Sequence, residues 1–325
     1  MLIEVRAKNC YVFEDEIQFS MKADMRNKKF GSNVHKENNF NVLKTAGIYG
    51  PNNAGKTCLI KCIQAIKDIF LNKDVELIPN IFSDSNICEL GVTFLSLGRK
   101  FSYDIKFDVG NREYIYEEFN EILKDQHNNE RKECWLKKDS ENEVYECLDE
   151  SLQSMIPVVS KNNLFCYLID TGKFEHINTL KNLIVSFAQK IDVINMNNIP
   201  ISNTIEVMKN KNQIQKKVVE FIKNSDLYMD NFEYVDMDKI PVELKDSDEK
   251  PDEKALNLPE GFMDQIRLVS TYKGFRVPSM LFDSTGTKKI AAIASYVIQA
   301  LEQGRILVVD ELDSSIHFKL TRAIA

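Results

Sequence analysis

The sequence predicts a mixed α/β fold built around a phosphate-binding loop, with an antiparallel β subdomain and a helical insertion. Three observations carry this reading. Gly50-Pro51-Asn52-Asn53-Ala54-Gly55-Lys56-Thr57 satisfies GxxxxGK[ST], with an apolar run before it and a helical pattern after it. Residues 92–119 alternate apolar and polar side chains around turn signals. Ile306 to Val309 form an unbroken aliphatic run that ends in Asp310-Glu311, the pattern of a parallel strand buried on both faces.

Composition narrows the class. The 325 residues allow one large domain or two ordinary ones. Hydrophobic residues make up 43% and charged residues 28%, which is globular rather than disordered. With 12 Gly and 8 Pro, a collagen-like or linker-dominated chain is excluded. A formal net charge of −7 supplies no overall field toward nucleic acid, so any such contact needs a local basic patch. The longest apolar stretch, Ile290 to Ile298, falls short of the ~20 residues that span a bilayer. The opening MLIEVRAKNC has no apolar core of a signal peptide, and no membrane partner is expected. Seven cysteines form an odd set without a CxxC pair. Cys58 and Cys62 share a helical face with no further ligand nearby, so the thiols read as reduced and the chain as cytoplasmic.

The elements follow in order. Ile3 to Ala7 and Ile17 to Phe19 read as two short strands, joined through Tyr11-Val12-Phe13 and a turn at 14–16. The polar segment 24–41 reads as a loop. Ala46-Gly47-Ile48-Tyr49 reads as the strand that enters the phosphate loop. Leu59, Ile60, Ile63, Ile66 and Phe70 recur at spacings of three and four, which predicts a helix over 57–71. Val92 to Leu95 and Phe101 to Phe107 flank Leu97-Gly98-Arg99 as a hairpin, with a third strand over 113–119. Residues 124–150 are strongly charged and read as an exposed hairpin or loop. From 177 to 225 the periodicity is helical, and 235–258 is an acidic, proline-containing linker. The expected divisions are 1–88, 89–150, 151–262 and 263–325, the first and last being the two halves of one nucleotide-binding core.

The loop chemistry accounts for each residue. Gly50 and Gly55 let the backbone curl so that several loop N–H groups, from Asn52, Asn53 and Ala54, and those of the helix start converge on one anion. The helix N-terminus at Thr57-Cys58 adds its dipole to the same point. Lys56 places a charge on the β and γ phosphates of ATP, and the Thr57 hydroxyl is a Mg²⁺ ligand. Asp310, at the carboxyl end of a strand, is the second Mg²⁺ ligand, and Glu311 can polarise the attacking water. The other reading of the acid pair is a strand ending in two solvated carboxylates. Ser284-Thr285-Gly286-Thr287-Lys288 precedes a long apolar helix closed by Gly304. Ser284 either caps that helix or belongs to a second anion-contacting helix start.

These motifs, in this order, resemble the ABC-type ATPase heads of SMC, RecF and RecN proteins. They resemble most the AAA-type ATPases of the OLD and abortive-infection (phage-defence) group. The resemblance rests on GIYGPNNAGKT at 47–57, DSTGTKK at 283–289 and DELDSSIH at 310–317, and covers roughly 1–71 and 265–325. It implies a P-loop NTPase fold of the ABC-ATPase head type, with ATP and Mg²⁺ as cofactors. It further implies a homodimer or higher oligomer with ATP sandwiched between heads. Lys56 of one chain would face Ser284 and Gly286 of the other, Glu311 would be the catalytic base, and Asp313, Ser314 and His317 would form the D-loop. His317 reads either as a helix-start residue at that interface or as a catalytic group. No Gln occupies the family's Q-loop position near Glu89 to Phe94. The chain as given ends at Ala325, inside the helix expected after the acid pair, ahead of the family's switch-histidine strand and nuclease domain.

The function expected from the resemblance is ATP-driven head dimerisation, used as a sensor or motor in prokaryotic phage defence or DNA maintenance. The alternative is a non-hydrolysing, nucleotide-gated scaffold for an effector nuclease or toxin. A transporter subunit fits poorly, because the insertion interrupts the compact core such subunits keep. Lys209, Lys211, Lys216 and Lys217 read either as a solvated face or as contacts to a DNA or RNA backbone.

Overall fold

The alternation that begins at Leu2 resolves into a seven-stranded antiparallel sheet. The protein is seen in a computed structural model that describes residues 1–26, 29–37, 40–124, 129–210, 212–225, 228–236 and 261–312. The chain separates into two units, 1–191 and 192–325.

In the first unit β1 (Leu2–Lys8) and β2 (Ile17–Ser20) pair with Val5 opposite Phe19. The segment 24–41, a loop by composition, instead contains most of a hairpin, β3 (Val34–Glu37) with β4 (Phe40–Leu43). Its apolar residues decide this. Val42 is buried with Ile3 and Leu95, and Phe40 packs against that cluster, so tertiary burial outweighs the Lys and Asn content. Then come α1 (Lys56–Phe70), β5 (Ile87–Ser96) and β6 (Arg99–Asp108). The turn between the last two puts Leu97 at φ 52° and Gly98 at φ 72°, two left-handed residues whose twist suits a tight hairpin. β7 (Glu113–Lys124), β8 (Glu130–Asp139) and β9 (Val144–Cys147) complete the sheet, in the order β2-β1-β5-β6-β7-β8-β9. The charged stretch 124–150 is therefore a hairpin, but not a wholly exposed one, since Trp135 and Leu136 are buried. α2 (Phe165–Leu168) and α3 (Glu175–Gln189) follow.

One sheet face carries an aromatic core. Phe187 of α3 stacks on Phe94 of β5 at 4.4 Å, and Phe70 of α1 stacks on Tyr103 of β6 at 5.4 Å. Rings of this size bury large apolar areas and fix the packing angle of both helices. The same region holds a charge pair with almost no exposure. Lys138 Nζ lies 3.2 Å from Glu117 Oε1, with side-chain exposures of 1% and 0%. Glu117 also accepts from Tyr103 Oη at 2.8 Å and from the backbone N–H of Phe165 at 3.1 Å. An ammonium, a phenol and a backbone N–H all donate to the one carboxylate, so it ties β6, β7, β8 and α2 together.

The second unit contains β10 (Ile191–Asn195), α4 (Ser202–Lys209), α5 (Gln213–Asn224), β11 (Asn231–Tyr234), α6 (Phe262–Ile266), β12 (Leu268–Tyr272), β13 (Phe275–Pro278), α7 (Ser279–Phe282), α8 (Thr285–Gln303) and β14 (Ile306–Asp310). β11, β12 and β13 form an antiparallel sheet, and β10 pairs with β14. α8 is the axis of this unit. Its Ala291 and Ala294 let α4 and α5 approach closely, and Thr204 Oγ1 donates to the Ala291 carbonyl at 2.9 Å.

Two expected divisions do not match these boundaries. The border at 88/89 falls within β5, a strand paired along its whole length with β6. The helical stretch 177–225 is not one insertion: α3 belongs to the first unit, while α4 and α5 pack on α8 in the second. The periodicity was the same on both sides of Ile191, and only the burial partners differ. The acidic linker lies largely outside the described residues.

Replacing Lys138 with Met leaves the Glu117 carboxylate buried and uncompensated. The expected loss is about 3–5 kcal/mol of unfolding free energy, measured by urea denaturation, whereas exposed Lys132→Met stays within about 0.5 kcal/mol.

Candidate functional site

The phosphate-loop motif folds as a tight turn followed at once by a helix. Asn53 stands at φ 67° and Gly55 at φ 87°, and α1 begins at Lys56. Gly55 caps the helix without a side-chain bond. As a glycine it offers the first N–H groups of α1, at Lys56, Thr57 and Cys58, no side-chain acceptor of its own. They and the helix dipole define an anion-attracting point. Lys56 Nζ donates to the carbonyls of Gly50 and Pro51, both at 2.8 Å, and so folds back across the loop. Pro51, Asn52, Asn53, Ala54 and Thr57 are exposed, and Cys58 is half-buried.

Gly55 serves a second purpose. A Cβ there would come within 2.9 Å of the Phe13 ring and 3.0 Å of Val12. The turn between β1 and β2 therefore buttresses the loop from below. That turn is itself held: Tyr11 N–H donates to the Ile78 carbonyl at 2.7 Å and its hydroxyl to the Glu76 carbonyl at 2.6 Å. Burial pushes the Tyr11 phenol above its usual range, so it remains a donor. The sequence shows Tyr11-Val12-Phe13 only as part of a hairpin, because a support role depends on what packs above it.

The strand expected ahead of the loop does not form. Residues 45–50 carry no regular structure, and Ile48 and Tyr49 are 41% and 93% exposed. An apolar run becomes a strand only when a neighbour completes its ladder, and none of the described sheets includes 45–50.

In the second unit Ser284 takes the bland role. Its side chain accepts the Thr287 N–H at 3.1 Å and caps α8, while Gly304 ends the helix at φ 63°. Ser284 and Thr285 are exposed, Gly286 and Lys288 half-buried, and Thr287 buried. Just before the cap, buried Asp283 collects three hydroxyls: Ser270 and Ser279 at 2.6 Å and Tyr272 at 2.8 Å. Those bonds tie the α8 start to β12 and α7. No local pattern signals them, since the hydroxyls lie 4–13 residues away.

The aliphatic strand β14 is only half-buried from Ile306 to Val309, so it is not covered on both faces as expected. Asp310 is buried at its end and Glu311 is exposed, with φ 56°. β10 lies beside it. Arg305 bridges Asp192 where the strands begin (2.5 and 2.7 Å), and Asn195 Nδ2 donates to Asp310 Oδ2 at 3.3 Å where they end. Asn197 donates to Glu311. Asn195 and Asn197 were not candidates by sequence, because nothing there tells which strand runs next to Ile306–Asp310.

Two of the four clustered lysines are spent on acids. Lys209 pairs with Asp264 at 2.8 Å and Lys217 with Glu302 at 2.6 Å; Lys216 is exposed. This favours the solvated-face reading. Lys211 and the expected D-loop residues Asp313, Ser314 and His317 lie outside the described residues. Among the described residues no cluster of three or more His, Cys, Asp or Glu could hold a metal, and all seven cysteines are free thiols. No helix there is long and apolar enough to cross a membrane.

Residues 213–325 match the family model described as "AAA domain, putative AbiEii toxin, Type IV TA system". The region is similar to an AAA domain of abortive-infection type. The match spans about a third of the chain, taking in α8, β14 and the acid pair but not the loop at 50–57. No curated protein matches the chain. The similarity supports a P-loop ATPase domain that binds ATP.

Ser284→Ala should lower stability by about 1 kcal/mol in urea denaturation, and Ser284→Gly by a few tenths, as expected for a helix cap.

Proposed function

We propose that this chain is an ABC-type ATPase whose nucleotide-dependent head dimerisation acts as a sensor or motor in prokaryotic phage defence or DNA maintenance. The observation that carries the reading is the start of α1. A GxxxxGKT loop ends in a left-handed glycine that brings no side chain to the helix start, and its lysine folds back onto the loop carbonyls. The similarity of 213–325 to an AAA domain supports it independently.

The residues divide the work. The N–H groups of 54–58 and the Lys56 ammonium would bind the triphosphate, spreading charge that builds on the γ-phosphoryl oxygens. Glu311 would orient the attacking water and take its proton. The oxygen donors Thr57 and Asp310 suit Mg²⁺, a hard cation that needs few protein ligands when phosphates supply the rest. Bound there, Mg²⁺ would neutralise phosphate charge. In the dimer, the α8 start with Ser284 and Gly286 would meet the nucleotide of the partner protomer. The Ser284 cap does not conflict with this, since a cap fixes the helix N-terminus that such a contact uses.

Lys56→Ala should abolish binding of a fluorescent ATP analogue in the presence of Mg²⁺ while leaving the melting temperature unchanged. Glu311→Gln should retain binding, lower steady-state hydrolysis by at least about a hundredfold, and accumulate dimer in gel filtration with ATP. Turnover by Glu311→Gln equal to wild type removes the catalytic assignment.

A further inference from the structure

The end of β10 reads Asn195-Met196-Asn197-Asn198, and its first and third side chains reach the two acids that end β14. Asn195 Nδ2 donates to Asp310 Oδ2 at 3.3 Å, and Asn197 Nδ2 donates to Glu311 Oε2. The two asparagines are also joined to each other. Asn195 Oδ1 accepts the Asn197 backbone N–H at 2.8 Å and so caps the short turn Met196–Asn198. Met196, between them, is fully buried in a cluster with Ile194, Ile293 and Val297. The apolar residue anchors the turn in the core while its neighbours carry the amides. At the other end of the pair, Arg305 and Asp192 lock the strand starts. The spacing of the amides is thus set by core packing rather than by a mobile loop.

Glu311 carries a second mark. Its φ of 56° is left-handed, a conformation that costs a non-glycine residue free energy and persists where surrounding contacts hold it. Asn197 is such a contact. It takes one carboxylate oxygen, Oε2, and Oε1 has no hydrogen-bond partner among the described residues.

We propose that Asn197 is a positioning residue for Glu311: it anchors Oε2, so that Oε1 is left to accept the proton of the attacking water, while Asn195 holds Asp310 in the same frame. The inference rests on the reading of Asp310-Glu311 as the metal-binding and water-orienting pair. An amide suits this task because it donates to a carboxylate without carrying a charge that would pair with the phosphates. Supporting groups of this kind are worth about ten- to a hundredfold in activity.

The test is a double-mutant cycle in the full chain, with Asn197→Ala and the isosteric Asn197→Asp, which replaces the donor by an acid that repels Glu311. Both should lower kcat about ten- to a hundredfold, with ATP affinity and melting temperature near wild type. Neither should lower the residual turnover of Glu311→Gln further. An equal loss on the Glu311→Gln background, a parallel fall in ATP affinity, or undiminished kcat overturns the assignment. A second readout does not depend on turnover. In the full chain labelled with ¹⁵N-asparagine, the Asn197 side-chain amide resonance, identified by its disappearance in Asn197→Asp, should move in Glu311→Ala. A resonance that stays in place overturns the contact. Absence of turnover in the wild type overturns instead the hydrolytic reading of the acid pair, and the resonance then decides the Asn197–Glu311 bond alone.

Discussion

The conformation of Gly55 is the constraint on which the first unit's candidate site depends. At φ 87° it ends the loop and starts α1 with no side chain of its own at the helix N-terminus. Any other residue would pay the left-handed strain and push its Cβ into Phe13. The loop is therefore shaped from both sides: by glycine freedom above and by the Val12-Phe13 turn below. That turn in turn depends on Tyr11 bonding to 76–78, so the anion-attracting helix start is held by parts of the chain more than sixty residues apart.

The second unit solves a similar problem by side-chain bonding. Its candidate groups lie at the ends of elements, where backbone geometry alone leaves a side chain loosely aimed. Asp283, gathering three hydroxyls, fixes the start of α8 from β12 and α7. Asn195 and Asn197 do the same for Asp310 and Glu311 from β10. In each case a carboxylate is met by neutral donors. Such donors orient it without cancelling its charge.

The rest of the first unit shows how buried charge can specify packing. Glu117 receives an ammonium, a phenol and a backbone N–H inside an aromatic core. A hydrophobic pair of equal volume could serve stability as well. What the polar cluster adds is a requirement that β6, β7, β8 and α2 meet in one register.

Periodicity and turn chemistry determined the local elements: the helix after Lys56, the hairpin at Leu97-Gly98 and the helix between Ser284 and Gly304 were legible because each depends on residues within one turn. The phosphate-loop motif and the acid pair were legible for the same reason. Only the tertiary structure decided which elements join. The hairpin at 34–43 formed because Val42 found a buried cluster, whereas the equally apolar Ala46 to Tyr49 found no ladder and stayed irregular. The helical run from 177 to 225 was divided because α3 found aromatic partners on the large sheet and α4 and α5 found the alanine face of α8. Asn195 and Asn197 became visible only once β10 lay along β14. Strand pairing and burial are agreements between distant segments, and no spacing within a single segment encodes its partner.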